Sequence, residues 1–248
     1  MRKWIWPLLA ACAVLAAGLV YGSIIQRRDK QNGKKGTDMK AIDTVERKDG
    51  LPLEKGHKEI YLAGGCFWGS EKYLSGIGGV KHTSVGYANG VTPSPTYREV
   101  CGGNTGYAET VHVVYDPGEI SLSFLLDLYF QSIDPTSVNR QGGDVGEQYR
   151  TGIYYVDEGD LPAISAAVEK VQKGLARPVA TEVKPLQNYF LAEDYHQNYL
   201  VKNPGGYCHI SDAMCKAAAA AKEPKPSYKK PDDAELKARL TDLQYRVT

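Results

Sequence analysis

The sequence predicts an α+β fold in which helices pack on a mixed β-sheet. Short segments rich in β-branched and aromatic residues alternate along the chain with amphipathic segments of helical period. Two long segments between them, residues 89–108 and 134–150, are dense in Gly, Pro, Asn and Tyr. Loops of that length in a compact domain are usually functional or disordered, and their aromatic content argues against disorder. We therefore expect a folded domain with long functional loops.

The predicted elements begin near Lys58, where EIYLAGG forms a strand. CFWGSEKYLSG then predicts a helix that ends at Gly76, because glycine is common just after a helix. The segments SVGYA, VHVVYDP, GIYYV and TEVKPL predict further strands, and SLSFLLDLYFQSI predicts an amphipathic helix. DLPAISAAVEKVQKGL predicts another helix, with apolar residues at helical spacing at Ile164, Val168, Val171 and Leu175. Since strands and helices interleave, they imply a mixed sheet covered by helices.

An uncharged apolar stretch lies near the amino terminus. It runs from Trp4 to Ile25, which is long enough to cross a bilayer as a helix, so residues 1–25 predict a transmembrane anchor. A cleaved secretory signal and a lipoprotein signal ending at Cys12 are the alternatives, but the apolar run continues for about ten residues past Cys12. Residues 26–57 are polar and without periodicity, which predicts a flexible tether.

The orientation of this anchor depends on two opposed signals. Arg2 and Lys3 precede the apolar stretch, and a larger basic cluster follows it, which favours a cytoplasmic position for the folded domain. The signal-like form of the amino-terminal segment favours the opposite side. We expect a membrane-anchored protein whose folded domain is extracytoplasmic.

Charge and cysteine content exclude several classes of function. Lys and Arg total 30 against 29 Asp and Glu, so the net charge of +1 gives no field that attracts nucleic acid. The five cysteines are widely spread and contain no C-x-x-C pair, which fits neither a disulfide scaffold nor a zinc ribbon. Cys208, His209 and Cys215 have a loosely zinc-like spacing, but a fourth ligand is missing from the pattern, so no metal is expected.

Cys66 stands at the junction of a predicted strand and a predicted helix, in GGCFWGSEKYL. The unpaired N–H groups and the dipole at a helix start favour a thiolate, so we expect a lowered pKa for Cys66 and a nucleophilic role. The preceding glycines permit a tight turn. Phe67 and Trp68 provide an apolar aromatic wall. The alternative is that Cys66 is a small buried residue that packs strand against helix.

Four longer segments carry a family resemblance: GCFWG with a following Glu and aromatic residue, GYANGVTPSPTYREVCGGNTGYAE, IDPTSVNRQGGDVGEQYR and AEDYHQNYLVKNPGGYCHI. Together they make residues 58–212 resemble peptide methionine sulfoxide reductase A. The resemblance implies a two-layer α/β sandwich with a ferredoxin-like core, and a catalytic domain over residues 58–215. It also implies thiol-dependent reduction of methionine S-sulfoxide, free or in proteins, to methionine, which repairs oxidative damage.

The resemblance assigns sulfur chemistry to two cysteines. Cys66 would attack the sulfoxide sulfur, while Phe67 and Trp68 would bind the methyl group of the substrate. The resulting sulfenic acid would condense with Cys208 to give an intramolecular disulfide. Cys215 is a possible second resolving thiol, although HISDAM lacks the Gly-rich spacer of that arrangement. No bound cofactor is implied, and an external dithiol, thioredoxin or a thioredoxin-like partner, would restore the thiols.

The resemblance also assigns a polar wall to the site. Glu109 would share a proton with the sulfoxide oxygen, Tyr97 and Tyr149 would hydrogen-bond that oxygen, and Asp144 would belong to the same wall. The chemistry requires these types, because a sulfoxide oxygen leaves only when protonated and an apolar pocket can keep a carboxyl neutral near pH 7. Phenol hydroxyls donate hydrogen bonds without adding charge.

The same residues are compatible with two other classes of function. A membrane-tethered cysteine hydrolase or acyltransferase would also use an activated Cys66, with His112 or His196 as base. A noncatalytic module could bind Met-rich or oxidised segments through Phe67 and Trp68.

The carboxyl-terminal part of the chain predicts two further segments. Residues 216–233 are rich in Ala, Pro and Lys, which is the composition of a linker. Residues 234–248, AELKARLTDLQYRVT, resemble the opening of peptide methionine sulfoxide reductase B, and an amphipathic tail helix is the alternative. We expect no activity on the R epimer.

Overall fold

The computed structural model describes residues 53–224, the backbone of residues 46–47, and the isolated residues 237 and 241. The predicted anchor (1–25), nearly all of the tether (26–57) and nearly all of the reductase B-like segment (234–248) lie outside these described residues. Within residues 53–224, no helix is both long enough and apolar enough to cross a membrane.

The described part of the chain contains nine strands, six α-helices and two 3-10 turns. The strands are β1 (Glu46–Arg47), β2 (Lys58–Gly64), β3 (Val80–Ala88), β4 (Ala108–Tyr115), β5 (Arg140–Gln141), β6 (Asp144–Val145), β7 (Thr151–Tyr155), β8 (Glu182–Pro185) and β9 (Asn188–Leu191). The helices are α1 (Phe67–Ser75), α2 (Tyr97–Gly102), α3 (Leu122–Gln131), α4 (Leu161–Gln172), α5 (Tyr199–Lys202) and α6 (Asp212–Ala220), and the 3-10 turns are Glu147–Tyr149 and Glu158–Asp160.

Seven strands form one sheet in the order β1-β9-β3-β4-β2-β7-β8. The outer pairs β1/β9 and β7/β8 are parallel, and the pairs between them are antiparallel. The sheet is therefore mixed, and the predicted α+β fold is confirmed. Strands β5 and β6 form a separate two-stranded ribbon inside the predicted loop 134–150.

The two faces of the sheet have different cores. Along β2, Ile60 and Leu62 belong to the large apolar cluster on the helix side, whereas Tyr61 and Ala63 belong to a smaller cluster on the other face. This alternation follows from the period of two in a strand. Fully burying a Leu or Ile side chain contributes about 2 kcal/mol. The helices contribute to the large cluster Leu74 from α1, Leu125 from α3, Ile164 from α4 and Ala218 from α6.

Three elements go beyond the sequence prediction. In strand β9 the consecutive residues Tyr189 and Phe190 are both buried, one on each face of the sheet. The strand therefore lacks the alternation of apolar and polar residues that indicates a strand. Helix α2 occupies part of the predicted loop 89–108. Helix α6 begins after Ser211, whose hydroxyl accepts the N–H of Met214, and runs past residue 216 through the alanine run, because alanine is the strongest helix former. Folded structure thus extends beyond the domain boundary predicted at residue 215.

Candidate active site

The junction of β2 and α1 places Cys66 at the start of a helix, as predicted. Gly65 has φ +84°, and a Cβ there would lie 2.5 Å from Cβ of Gln141, so this position requires glycine. Cys66 follows as the N-cap residue of α1. Only 8% of Cys66 is exposed, so the thiol faces a largely closed site.

The pKa of the Cys66 thiol corrects the expectation from sequence. Burial raises this pKa most, and the charge of Glu109 raises it further. The backbone N–H groups of Trp68 and Gly69 lower it, which is the predicted effect of the helix start, but their contribution is smaller. In the substrate-free protein the pKa of Cys66 is therefore raised, because desolvation outweighs the helix terminus.

Glu109 lies on β4 and reaches the same helix start. Its Oε2 accepts the backbone N–H of Phe67 at 2.9 Å, and the residue is 1% exposed. Burial raises the pKa of Glu109 to about 8; the Phe67 N–H opposes this shift, and the charge of Asp144 adds to it. The carboxyl is thus mostly protonated near pH 7, which is the state that proton donation requires.

Tyr97, Tyr149 and Asp144 come from the two long loops. Tyr97 is the first residue of α2, and its backbone N–H donates to Oε1 of Glu193 at 2.9 Å. Tyr149 ends the 3-10 turn Glu147–Tyr149. Burial is the main cause that raises the pKa of both phenols. The Cys101 thiol and then the charge of Glu109 raise the pKa of Tyr97 further, and the charge of Glu109 is the next cause at Tyr149. The charge of Asp144 in turn acts on Glu109 and Tyr149. The loops therefore bring these groups to one site around Glu109.

The aromatic wall includes two residues that were not predicted as site residues. The Trp68 indole Nε1 donates to Nδ1 of His196 at 2.9 Å, and the Trp68 ring stacks on Tyr199 at a centroid distance of 3.8 Å. Phe67 is almost fully buried, with its ring 5.1 Å from that of His196. The segment AEDYHQNYL contains both new residues, but only its tertiary contacts reveal that they hold Trp68.

The candidate resolving thiols lie along the same helix. The Cys208 sulfur would be 3.1 Å from a Cβ at Gly69, so it packs on the first turn of α1 where no side chain stands. Cys215 lies on α6, and burial followed by the charge of Cys208 raises its pKa. A salt bridge from Lys72 to Asp212, 2.7 Å long, joins α6 to α1. All three cysteines at this helix, Cys66, Cys208 and Cys215, are free thiols.

Each of the two histidines considered as bases has a ring nitrogen bonded to a group other than Cys66. His112 Nε2 lies 2.9 Å from Oε2 of Glu59, and its ring stacks on Tyr61, which belongs to the cluster on the other face of the sheet. His196 accepts the indole N–H of Trp68. Within residues 53–224, no group of three or more His, Cys, Asp or Glu side chains is arranged to hold a metal ion.

The site combines a buried thiol at a helix start with a neutral carboxyl and an aromatic wall. These groups are typical of an enzyme whose cysteine reacts with a substrate while an acid protonates the leaving group. Comparison with known proteins gives the family. The peptide methionine sulfoxide reductase family model matches residues 58–227, and the chain belongs to this family. The reduction of methionine sulfoxide is therefore its reaction, and neither the hydrolase nor the noncatalytic interpretation holds.

Curated relatives and solved structures agree with this assignment. The peptide methionine sulfoxide reductase MsrA of Lachnoclostridium phytofermentans is 57% identical over 165 residues, which are 66% of this chain and 99% of that protein. The corresponding protein of Clostridium perfringens is 59% identical over 153 residues, 62% of this chain and 98% of that protein. Reduced Mxr1 from Saccharomyces cerevisiae has a TM-score of 0.59 at 41% identity and covers 63% of this chain and 92% of its own. Methionine sulfoxide reductase A of Corynebacterium diphtheriae has a TM-score of 0.57 at 42% identity. The match covers 62% of this chain and 79% of that chain.

Proposed function

We propose that this site reduces the S epimer of methionine sulfoxide, free or in proteins, with Cys66 as the nucleophile and Glu109 as the acid. The observation that carries the proposal is the position of Glu109. Its buried carboxyl is bonded to the N–H of Phe67, the residue that directly follows Cys66. A neutral acid and a thiol thus meet at a single helix start, where a bound sulfoxide would offer its oxygen to one and its sulfur to the other.

In the first step, the Cys66 sulfur attacks the sulfoxide sulfur while Glu109 shares its proton with the oxygen. This attack forms a bond between the two sulfurs, and the substrate's sulfur–oxygen bond breaks as the protonated oxygen leaves as water. Water then adds to the Cys66 sulfur, its proton returns to Glu109, and the sulfur–sulfur bond breaks. Methionine leaves reduced, and Cys66 is oxidised to a sulfenic acid. The sulfoxide sulfur carries a partial positive charge, so a bound substrate would lower the pKa of the Cys66 thiol from its raised resting value. Tyr97 and Tyr149 would donate hydrogen bonds to the oxygen as negative charge develops on it.

The two ends of a methionine sulfoxide side chain need different surroundings. Phe67 and Trp68 would bind the methyl group, because they form the apolar side of the site. Asp144 would lie in the polar wall, where its carboxylate already accepts the Tyr207 hydroxyl at 3.2 Å.

In the second step, the Cys208 thiol attacks the Cys66 sulfenic acid, a disulfide forms and water leaves. The Cys208 sulfur packs against the first turn of α1, the turn that begins next to Cys66, and this position supports the pairing. An external dithiol, a thioredoxin or a similar protein, would then reduce the disulfide to two thiols and itself become oxidised. Cys215 is a second candidate resolving thiol, because it lies on α6, which the salt bridge from Lys72 to Asp212 joins to α1.

The reaction is tested by incubation with each epimer and dithiothreitol, scored by chirally resolved product. We expect methionine from the S epimer and none from the R epimer. In single turnovers, Cys66→Ser should abolish product, whereas Glu109→Gln should retain partial activity, since an amide N–H can still donate to the oxygen. A larger loss in Glu109→Gln than in Cys66→Ser would reject the assigned roles.

We also propose how the whole chain is organised. Residues 1–25 would anchor the protein in a membrane, residues 26–57 would tether the catalytic domain outside the cytoplasm, and a thioredoxin-like partner coupled to that membrane would supply electrons. The uncharged run from Trp4 to Ile25 supports the anchor. The part of the predicted linker 216–233 that follows Ala220, the last residue of α6, would connect the catalytic domain to the reductase B-like segment 234–248. Protease added to cells whose outer envelope has been permeabilised, with the inner membrane intact, should remove the catalytic domain; full protection would place it in the cytoplasm.

A further inference from the structure

Glu71 is a buried carboxyl on α1 that the mechanism does not use. It is 2% exposed, and its Oε2 accepts the backbone N–H of Asn198 at 2.8 Å. Its other oxygen, Oε1, is buried and has no hydrogen-bond partner among the described residues. Burial raises the pKa of Glu71 to about 7, against the N–H of Asn198, the hydroxyl of Thr83 and the charge of Lys202, which all favour the carboxylate. Leaving such a group inside the protein is costly, so it requires an explanation.

Asn198, whose backbone N–H Glu71 accepts, lies between His196 and Tyr199, which both contact Trp68. Asn198 has φ +54°, in the left-handed region that asparagine adopts more readily than most residues, and it is the N-cap of α5. His196, two residues earlier, accepts the Trp68 indole N–H. Tyr199, one residue later, stacks on the Trp68 ring.

Glu71 also lies next to Trp68 on the helix. Glu71, Trp68 and Asn198 line one small cleft of about 10 Å³, which has room for about one water molecule. The spacing of three residues places Glu71 and Trp68 on the same side of α1. A carboxylate on this side can therefore hold the segment 196–199 at the distance that the indole contacts require.

We propose that Glu71 is a positioning residue that holds the segment 196–199 against α1 and thereby fixes the indole of Trp68. The inference rests on the proposed role of Trp68 in binding the substrate's methyl group. Glu71 itself contacts neither the thiol nor the acid, so it acts on substrate affinity and leaves the chemical step unchanged.

The first measurement is the fluorescence of Trp68. The chain has three tryptophans, so Trp4→Phe with Trp6→Phe in the full-length protein leaves Trp68 as the single reporter. In this background, Glu71→Leu should shift the Trp68 emission to the red and increase its quenching by acrylamide. Glu71→Gln, which keeps an oxygen for the N–H of Asn198, should restore both.

The second measurement is single-turnover reduction of the S-sulfoxide over a range of substrate concentrations. Glu71→Leu should raise the half-saturating concentration about tenfold, as expected for loss of part of an apolar pocket, and retain the limiting rate. Glu71→Gln should rescue it. Glu109→Gln should give the opposite pattern, with a lower limiting rate and little change in half-saturation. A failure of that pattern would reject the proposed acid and leave the inference on Glu71 standing.

A matched control comes from the same helix. The Tyr73 hydroxyl donates to the Leu128 carbonyl oxygen at 2.9 Å, so Tyr73→Phe removes a buried hydrogen bond of α1 on the side that faces α3. This variant should leave Trp68 emission and half-saturation unchanged. If Glu71→Leu does not fold, Thr83→Val, which removes a hydroxyl that favours the Glu71 carboxylate, should shift emission and half-saturation in the same direction to a smaller extent. Unchanged emission in the folded Glu71 and Thr83 variants, or equal changes in Tyr73→Phe, would overturn the proposal.

Discussion

At the scale of single residues, one helix start serves two acidic groups. The N–H groups of Trp68 and Gly69 favour the thiolate of Cys66, and the N–H of Phe67 favours the carboxylate of Glu109. Both groups are desolvated and each negative charge opposes the other. The resting site therefore favours protons on both, which suits the acid but leaves the thiol dependent on the substrate for activation.

The alkylation of Cys66 tests this coupling. In the wild-type protein, Cys66 should react slowly with iodoacetamide near pH 7 and faster as pH rises, because its pKa is raised. Glu109→Gln removes a nearby charge that raises the pKa of the Cys66 thiol, so it should increase the alkylation rate at alkaline pH. The rate is measured by mass spectrometry of the Cys66 peptide. Glu59→Gln, which alters a buried carboxyl bonded to His112, is the control; identical rates in wild type and Glu109→Gln would contradict the coupling.

At the scale of elements, helix α1 connects nearly every part of the site. Its first residues define the helix start, Gly69 gives Cys208 room to pack, and Glu71 and Lys72 bind the segments that carry the aromatic and resolving residues. A change on this helix can therefore separate one step of the reaction from another.

Gly69→Ala should impair the resolving step alone. Alanine stabilises a helix interior by about 0.5–1 kcal/mol over glycine, but a Cβ here would lie 3.1 Å from the Cys208 sulfur and 3.0 Å from Nδ1 of His209. We expect displaced Cys208, slower Cys66–Cys208 disulfide formation by about tenfold or more, and accumulated sulfenic acid. Mass mapping after one equivalent of substrate measures both species.

The matched control is Gly76→Ala at the end of α1, where the nearest atoms would be 3.6 Å away. It should form the disulfide at the wild-type rate. An undiminished rate in Gly69→Ala, or a bridge from Cys66 to Cys101 in the wild type, would refute the assigned pairing.

The elements also show what the sequence could and could not predict. The strand of Ile60 and Leu62 and the helix that stops before Gly76 were predictable, because local periodicity and the frequency of glycine after helices indicate them. Strand β9 was not, since burial on both faces removes the alternation. The resemblance supplied Glu109, whereas the raised pKa of Cys66 follows from burial by distant segments, which no local pattern records.

At the scale of the whole molecule, buried carboxyls make stability depend on pH. The pKa values of Glu109 and Glu71 are raised from 4.5 to about 8 and about 7. The folded protein therefore keeps protons that the unfolded chain has lost. Their contribution to stability is fully present below about pH 4.5 and is lost as pH rises through about 7 to 8.

The free energy of unfolding should accordingly fall between pH 5 and pH 9 more steeply in the wild type than in Glu109→Gln. One pKa unit corresponds to about 1.4 kcal/mol, so Glu109 can account for a difference of about 5 kcal/mol at most. Urea titrations across this range measure it. His196 and His209, whose pKa values burial lowers, give the opposite slope below pH 6.5 in both proteins, so the difference between the curves isolates Glu109. Parallel curves would contradict the burial of an ionisable Glu109.

The raised pKa of the Cys66 thiol affects how fast oxidants can damage this residue. Peroxides attack the thiolate and drive it towards sulfinic and sulfonic acids, from which this chemistry offers no return. A repair enzyme meets such molecules whenever its work is needed. By keeping its sulfur uncharged until an oxidised methionine fills the pocket, the protein limits the oxidation of its own nucleophile.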